Sequence, residues 1–243
     1  VVLKNLGIKN VPSPISYRYK WPGMYKPFNH QRETAAFLTM HRRAYCFSDP
    51  GTGKTASIAW AADYLMEQNF IKRCLIICPL SIMSSAWQAD LFRIVMHRKV
   101  DIAYGVRDKR IKVINGDAEF VIINFDGVEV VHKEIAAGGF DLVVIDEANA
   151  IKTHTTKRWK AINSVLKPDT WLWMATGTPA SQAPTDAYGL ARMLNPSSVP
   201  PNFYSFRDKV MLKVSQFRWA TKKTAEQTVR ETLQPAIRFA KGD

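Results

Sequence analysis

The sequence predicts an α/β fold, a doubly wound and mainly parallel sheet with helices on both faces. Three observations predict it. Short apolar runs such as RCLIICP, EFVIINF, FDLVVID and TWLWMAT carry β-branched or bulky residues without polar alternation, the pattern of strands covered on both sides. Helix-period or turn-rich stretches separate these runs, which favours parallel strands joined by crossovers. One run opens onto a glycine-rich turn followed directly by a helical pattern, "SDPGTGKT" from Ser48 to Thr55.

In chain order, residues 1–27 hold prolines and the aromatics Tyr17, Tyr19, Trp21 and Tyr25 without a period, and read as an irregular lead-in. HQRETAAFLTMH (His30–His41) suits a helix, Ala44–Phe47 a short strand, and Lys54 to about Gln68 a second helix. In that helix Ile58, Ala61, Ala62 and Leu65 recur at i, i+3, i+4 and i+7, one face. RCLIICP is a buried strand ended by Pro79. IMSSAWQADLFRIV is expected to be helical, with Ile82, Trp87, Leu91 and Ile94 near one face. VDIAYG, EFVIINF, FDLVVID and TWLWMAT supply further strands. "NPSSVPPN" (Asn195–Asn202) breaks the pattern, so residues 28–195 form the main domain and 196–243 a basic, helical appendage.

Composition narrows the function. The chain has 243 residues, 47% hydrophobic and 23% charged, an ordinary globular balance. No run of roughly 18 apolar residues is present, so no membrane partner is expected. Lys and Arg number 34 against 21 Asp and Glu, a net charge of +13. Such an excess favours a polyanionic partner through long-range attraction and counterion release, and nucleic acid is the expected one. Cys46, Cys74 and Cys78 make no disulfide framework and fit a reducing, cytoplasmic setting; the five His residues are scattered, and no Cys/His metal site is expected. Trp60, Trp87, Trp171 and Trp173 are assigned to the core.

The glycine turn has the chemistry of a phosphate cradle. Glycines at 51 and 53 let backbone N–H groups face phosphate oxygens, and the helix starting at Lys54 aims its positive end at them. Lys54 has the reach to meet β- and γ-phosphates, and the Thr55 hydroxyl is a magnesium ligand in such loops. Pro50, Gly51, Thr52, Gly53, Lys54 and Thr55 are therefore the expected ATP-binding residues. The pattern asks for glycine where this chain has Ser48, a small residue that leaves the turn open. FDLVVIDEAN ends a buried strand with Asp146, placed to hold magnesium, and Glu147, placed to polarise an attacking water. Thr176, Gly177 and Thr178 end another strand, beside either the γ-phosphate or the carboxylates, or as a plain turn. KTHTTKRWK, from Lys152 to Lys160, reads equally as a nucleic-acid-facing patch or a solvated helix face.

These motifs in this order resemble the first, RecA-like motor lobe of superfamily-two helicases and translocases. Within it they are most similar to the Swi/Snf-type group of double-stranded DNA translocases. Motif I there often begins with Ala or Ser. FNHQRETAAFL resembles the Q-motif region, which makes Gln31 the expected reader of the adenine edge. CPLSIMSSAWQAD resembles motif Ia and VIINFDGV the motif that follows, so the resemblance implies DNA-phosphate contacts from Ser81 and Asn124; Lys152, in the basic run beyond the acidic motif, is the further expected DNA contact. TGTPASQAPTDAYGL is similar to motif III, which couples the two lobes' chemistry. The match runs from about Phe28 to Leu194, and LQPAIRFAKGD resembles the exit towards a second lobe. DEAN carries Asn149 where relatives commonly have His. The resemblance implies an ATP- and magnesium-using, DNA-dependent ATPase that needs a second RecA-like lobe, in cis or in trans. The alternatives are the ATPase subunit of a restriction or repair nuclease, and a non-hydrolysing nucleic-acid-binding platform.

Overall fold

The computed structural model describes residues 12–180, 182–216 and 218–241. Its centre is a seven-stranded sheet in the order β3-β4-β2-β5-β6-β1-β9, with every neighbouring pair parallel. The strands are β1 (Arg43–Cys46), β2 (Cys74–Cys78), β3 (Val100–Ile102), β4 (Phe120–Asn124), β5 (Leu142–Asp146), β6 (Trp171–Ala175) and β9 (Ala236–Ile237). In β2, β4, β5 and β6 every residue is buried, which is why their sequences are unbroken apolar runs.

Successive side chains of a strand point to opposite faces, so each run feeds two cores. One face gathers Cys74, Ile76 and Cys78 of β2 with Leu142, Val144 and Trp173, under α1 (Ile15–Arg18), α2 (Asn29–Met40), α3 (Lys54–Glu67) and α4 (Ala89–Ile94). The other gathers Leu75, Ile77, Val143, Ile145 and Met174. It is covered by α5 (Arg107–Ile114), α6 (Phe125–Ala137), α7 (Lys157–Val165), α8 (Ala187–Leu194), α9 (Phe203–Val210) and α10 (Ala225–Thr232). The four tryptophans assigned to the core are buried. All three cysteines are buried free thiols, and loss of hydration pushes the Cys78 thiol up to about 12. No helix among the described residues is long and apolar enough to cross a membrane.

The lead-in is less irregular than its sequence suggests. Residues 1–11 lie outside the described residues, but α1 and the segment after it clamp the face that carries α3. Trp60 of α3 donates its indole N–H to the Pro22 carbonyl at 2.9 Å, and the Met24 amide bonds the Arg93 carbonyl at the end of α4. Asp63, one turn further along α3, is fully buried. It accepts from the Tyr19 hydroxyl, from His97 Nε2 at 2.9 Å and from Arg98 Nε at 2.6 Å, and Arg98 also bridges to Glu119.

Two segments differ from the sequence expectation. The stretch after β2 is not one helix: a 3-10 turn (Leu80–Ile82) leads into a π-helix (Met83–Gln88) and then α4. The segment after Asn202 is only partly helical. Between α9 and α10 lies an antiparallel hairpin, β7 (Met211–Lys213) with β8 (Trp219–Thr221), and the chain then returns to the sheet as β9. Phe206 and Val210 of α9 and Leu233 sit in the core beside α8, so apolar burial draws the appendage in.

Candidate nucleotide and nucleic-acid site

Because the strands are parallel, their C-terminal ends share one edge of the sheet, where ligands of open α/β sheets bind. β6 lies between β1 and β5, so the loops after β1 and β5 stand two strand spacings apart, roughly 10 Å. Three predicted motifs therefore converge from separate parts of the chain.

The loop after β1 is shaped as its glycines require. Gly51 has φ +86° and Gly53 φ +76°, both left-handed. A Cβ on Gly53 would meet the Gln31 side-chain nitrogen at 2.1 Å, so the glycine serves both the turn and the close approach of α2. Gln31, buried, accepts from the Phe28 amide through Oε1 at 3.0 Å and donates to the Thr52 carbonyl at 3.4 Å. Lys54 Nζ donates to the carbonyls of Ser48 at 2.7 Å and Asp49 at 3.1 Å, folding its ammonium under the loop. α3 then runs 14 residues from Lys54, its unpaired N–H groups and positive dipole end facing the loop.

Asp146 closes β5. Its Oδ2 accepts the Trp87 indole N–H at 2.9 Å, and its Oδ1 the Glu147 backbone N–H at 3.0 Å. Burial pushes the Asp146 carboxyl upward, and those two donors and the nearby Lys54 ammonium oppose the shift. Glu147 is likewise raised, by burial first and then by the Asp146 charge, with Lys54 opposing. Both acids thus lie within the field of Lys54. Glu147 takes φ +53°, ψ +52°, a left-handed backbone that costs a non-glycine residue about 1–3 kcal/mol and collects at functional sites.

The exit of β6 leans on the same loop. A Cβ on Gly177 would stand 3.0 Å from Pro50 Cδ, the Thr176 amide bonds the Cys46 carbonyl of β1 at 3.1 Å, and the Thr178 amide bonds Thr176 Oγ1 at 3.3 Å. Thr176 is fully buried. The three-residue turn is thus packed onto the loop after β1.

The residues expected to face DNA are placed differently from one another. Ser81 is exposed on the 3-10 turn. Asn124 is buried at the start of α6, where its Oδ1 accepts from Arg110 Nη1 at 3.0 Å, so this carboxamide works inside the protein. Lys152 Nζ reaches Gln182 Oε1 at 2.6 Å and Asp186 Oδ2 at 3.1 Å. It braces the segment after β5 against the segment after β6, because Asp186 also accepts the Gln182 and Ala183 amides.

Sequence reasoning missed three contributors. His30 Nε2 meets the Thr52 carbonyl at 2.9 Å and stacks on Phe28. Asp186 has the signature of a local cap, three residues after Ala183 and following Pro184. Ser48 looked merely tolerated. Its hydroxyl accepts the Phe239 amide at 3.1 Å, while the Asp49 amide donates to the Phe239 carbonyl and Asp49 Oδ2 accepts the Lys241 amide. The segment after β9 is thereby tied to the phosphate loop. Replacing Ser48 by Ala is expected to leave the Phe239 amide unpaired and to lower the unfolding free energy by about 1–3 kcal/mol, read from urea denaturation.

A glycine turn after β1, paired acids at the end of β5 and a threonine turn after β6, gathered at one edge of a parallel sheet, have the arrangement of a RecA-like lobe. The chain belongs to the SNF2-related domain family, whose family model matches residues 30–240. Among curated proteins it is 26% identical over 176 residues to an uncharacterised ATP-dependent helicase of Bacillus subtilis, covering 71% of this chain and 30% of that protein. It is 28% identical over 180 residues to the SWI/SNF-related matrix-associated actin-dependent regulator of chromatin subfamily A-like protein 1 of Xenopus tropicalis, covering 72% and 18%. The chain thus spans less than a third of the length of either relative. Among solved structures, the SWI2/SNF2 ATPase core of Sulfolobus solfataricus in complex with dsDNA superposes with a TM-score of 0.78 at 21% identity. That match covers 92% of this chain and 46% of the other, and it carries the fold.

Proposed function

We propose that this chain is the ATP-binding lobe of a DNA-dependent ATPase, a helicase or double-stranded DNA translocase that couples hydrolysis to movement on nucleic acid. The observation that carries the reading is the meeting of Lys54, Asp146, Glu147 and Gly177 at the ends of three adjacent parallel strands. Loop amides from Gly51 to Thr55 bind the phosphates, and Lys54 trades two loop carbonyls for phosphate oxygens. The donor set fits magnesium: Asp146 is a buried carboxylate with one donor on each oxygen and acceptor capacity to spare, and Thr55 follows Lys54 in the first turn of α3. Thr55 and Asp146 would hold the ion, which when bound neutralises phosphate charge. Glu147, beside Asp146, orients the water, and its raised carboxyl accepts a proton more readily than an exposed one. Gln31 and His30, both held against the Thr52 carbonyl, are the residues we assign to the base. Thr176, Gly177 and Thr178 pass the state of the phosphates onward.

The net charge of +13 and the dsDNA bound by the Sulfolobus core support duplex DNA as the partner. Ser81 is the best placed of the expected contacts, Lys152 is engaged in bracing, and Asn124 acts through Arg110. A second RecA-like lobe completes the site. An ATPase assay of this lobe paired with a second one, with and without duplex, tests the reading. Turnover that rises with duplex is expected; turnover indifferent to duplex removes the DNA dependence. Failure of the chain to bind Mg·ATP removes the nucleotide site itself.

A further inference from the structure

Trp87 does something that neither a core residue nor a DNA-contact segment explains. Its ring is buried, yet its one polar atom is spent on the Asp146 carboxylate, 59 residues away in the chain. We propose that Trp87 is a positioning residue that orients the Asp146 carboxylate and joins it to the segment after β2. The inference rests on the reading of Asp146 as the magnesium carboxylate.

The geometry is specific. One donor serves each oxygen, the indole N–H on Oδ2 and the Glu147 amide on Oδ1. Two such bonds fix the plane of the carboxylate and leave its remaining lone pairs for a cation, the work of an outer shell around a metal ligand. Each donor depends on an uncommon backbone: Glu147 is left-handed, and Trp87 lies in a six-residue π-helix. π-helical turns are rare and concentrate at functional sites. Here the wider turn sets the direction of Trp87, because it alters how far each residue rotates about the axis. β2 pairs with β5 in register, Ile77 opposite Ile145, so the segment leaves the sheet beside the strand that ends in Asp146.

The same segment has two sides. Met83 and Trp87 are buried, while Ser81, Ser84 and Ser85 are exposed. A polyanion seated on the serines therefore touches a stretch of chain whose opposite side holds the carboxylate. Movement of that stretch changes the aim of the indole, and with it the affinity for the ion.

The test replaces Trp87 by β-(3-benzothienyl)alanine, which keeps the bicyclic shape but has sulfur in place of N–H, and in parallel makes Trp87→Phe. Affinity for a fluorescent ATP analogue is measured in EDTA and in excess Mg2+, and folding by urea denaturation. The benzothienyl chain is expected to unfold at the wild-type midpoint and to bind nucleotide normally in EDTA. Its Mg2+-dependent gain in affinity is expected to fall by about 10-fold or more. Trp87→Phe is expected to lose the same gain, with some loss of stability. An unchanged Mg2+ dependence in the benzothienyl chain overturns the inference and leaves the nucleotide site standing. Equal losses in EDTA and Mg2+ also overturn it, since they mark general packing. Absence of any Mg2+-dependent binding by the wild-type chain overturns both readings.

Discussion

Replacing Lys54 by Ala is expected to lower ATP turnover of the lobe, paired with its second lobe and duplex DNA, by about 10²–10³-fold, the cost of deleting one preorganised charge partner of a reacting group. The ammonium lies under the loop carbonyls of Ser48 and Asp49 and within the field of both Asp146 and Glu147. Lys54 is the cation that opposes the upward push of burial on both acids. Arginine is expected to fail as well, because a planar fork cannot replace a compact ammonium in a turn this close. Steady-state phosphate release checks both variants. Turnover of Lys54→Ala within a few-fold of wild type ends the assignment of this loop as the ATP site.

Asp63→Ala is expected to be the most damaging change to stability away from that site, about 3–5 kcal/mol, the range for removing one partner of a buried ion pair. The carboxylate is fully buried and takes donors from Tyr19 and from the adjacent His97 and Arg98, two separate stretches of chain. Without it Arg98 keeps Glu119 and the backbone carbonyl of residue 63, and the lead-in loses the tie from Tyr19 to α3. Asp63→Asn retains acceptor capacity and is expected to lose less. Urea midpoints of the two variants measure the difference; a loss under about 1 kcal/mol for Ala, the size of a surface pair, shows that the hub contributes no more than one.

Much of this molecule is legible in its sequence, and the reasons are physical. CLIIC, FVIIN, LVVID and WLWMA announce themselves because a strand covered on both faces has no polar residue to interrupt it. Gly51, Gly53 and Lys54 are legible because a phosphate turn tolerates few other residue types. What stayed hidden depends on contacts between distant segments. β9 is two residues long, and only the free edge of β1 makes Ala236 and Ile237 a strand. Trp87 has the apolar spacing of a core residue; nothing local says that its N–H meets Asp146. Asn124 has the chemistry of a phosphate contact, but the approach of Arg110 takes its oxygen inward. Lys152 reads as a free cation until Asp186 arrives from 34 residues further on. Propensity and period see neighbours along the chain, and these roles are set across it.

The segment after β9 runs alongside the loop after β1, stitched to it at Ser48 and Asp49 through Phe239 and Lys241. A pull on that segment is borne first by the turn that the proposed function assigns to the phosphates, like a tether knotted to a latch. On that assignment, holding the nucleotide and holding this segment under load are one mechanical act.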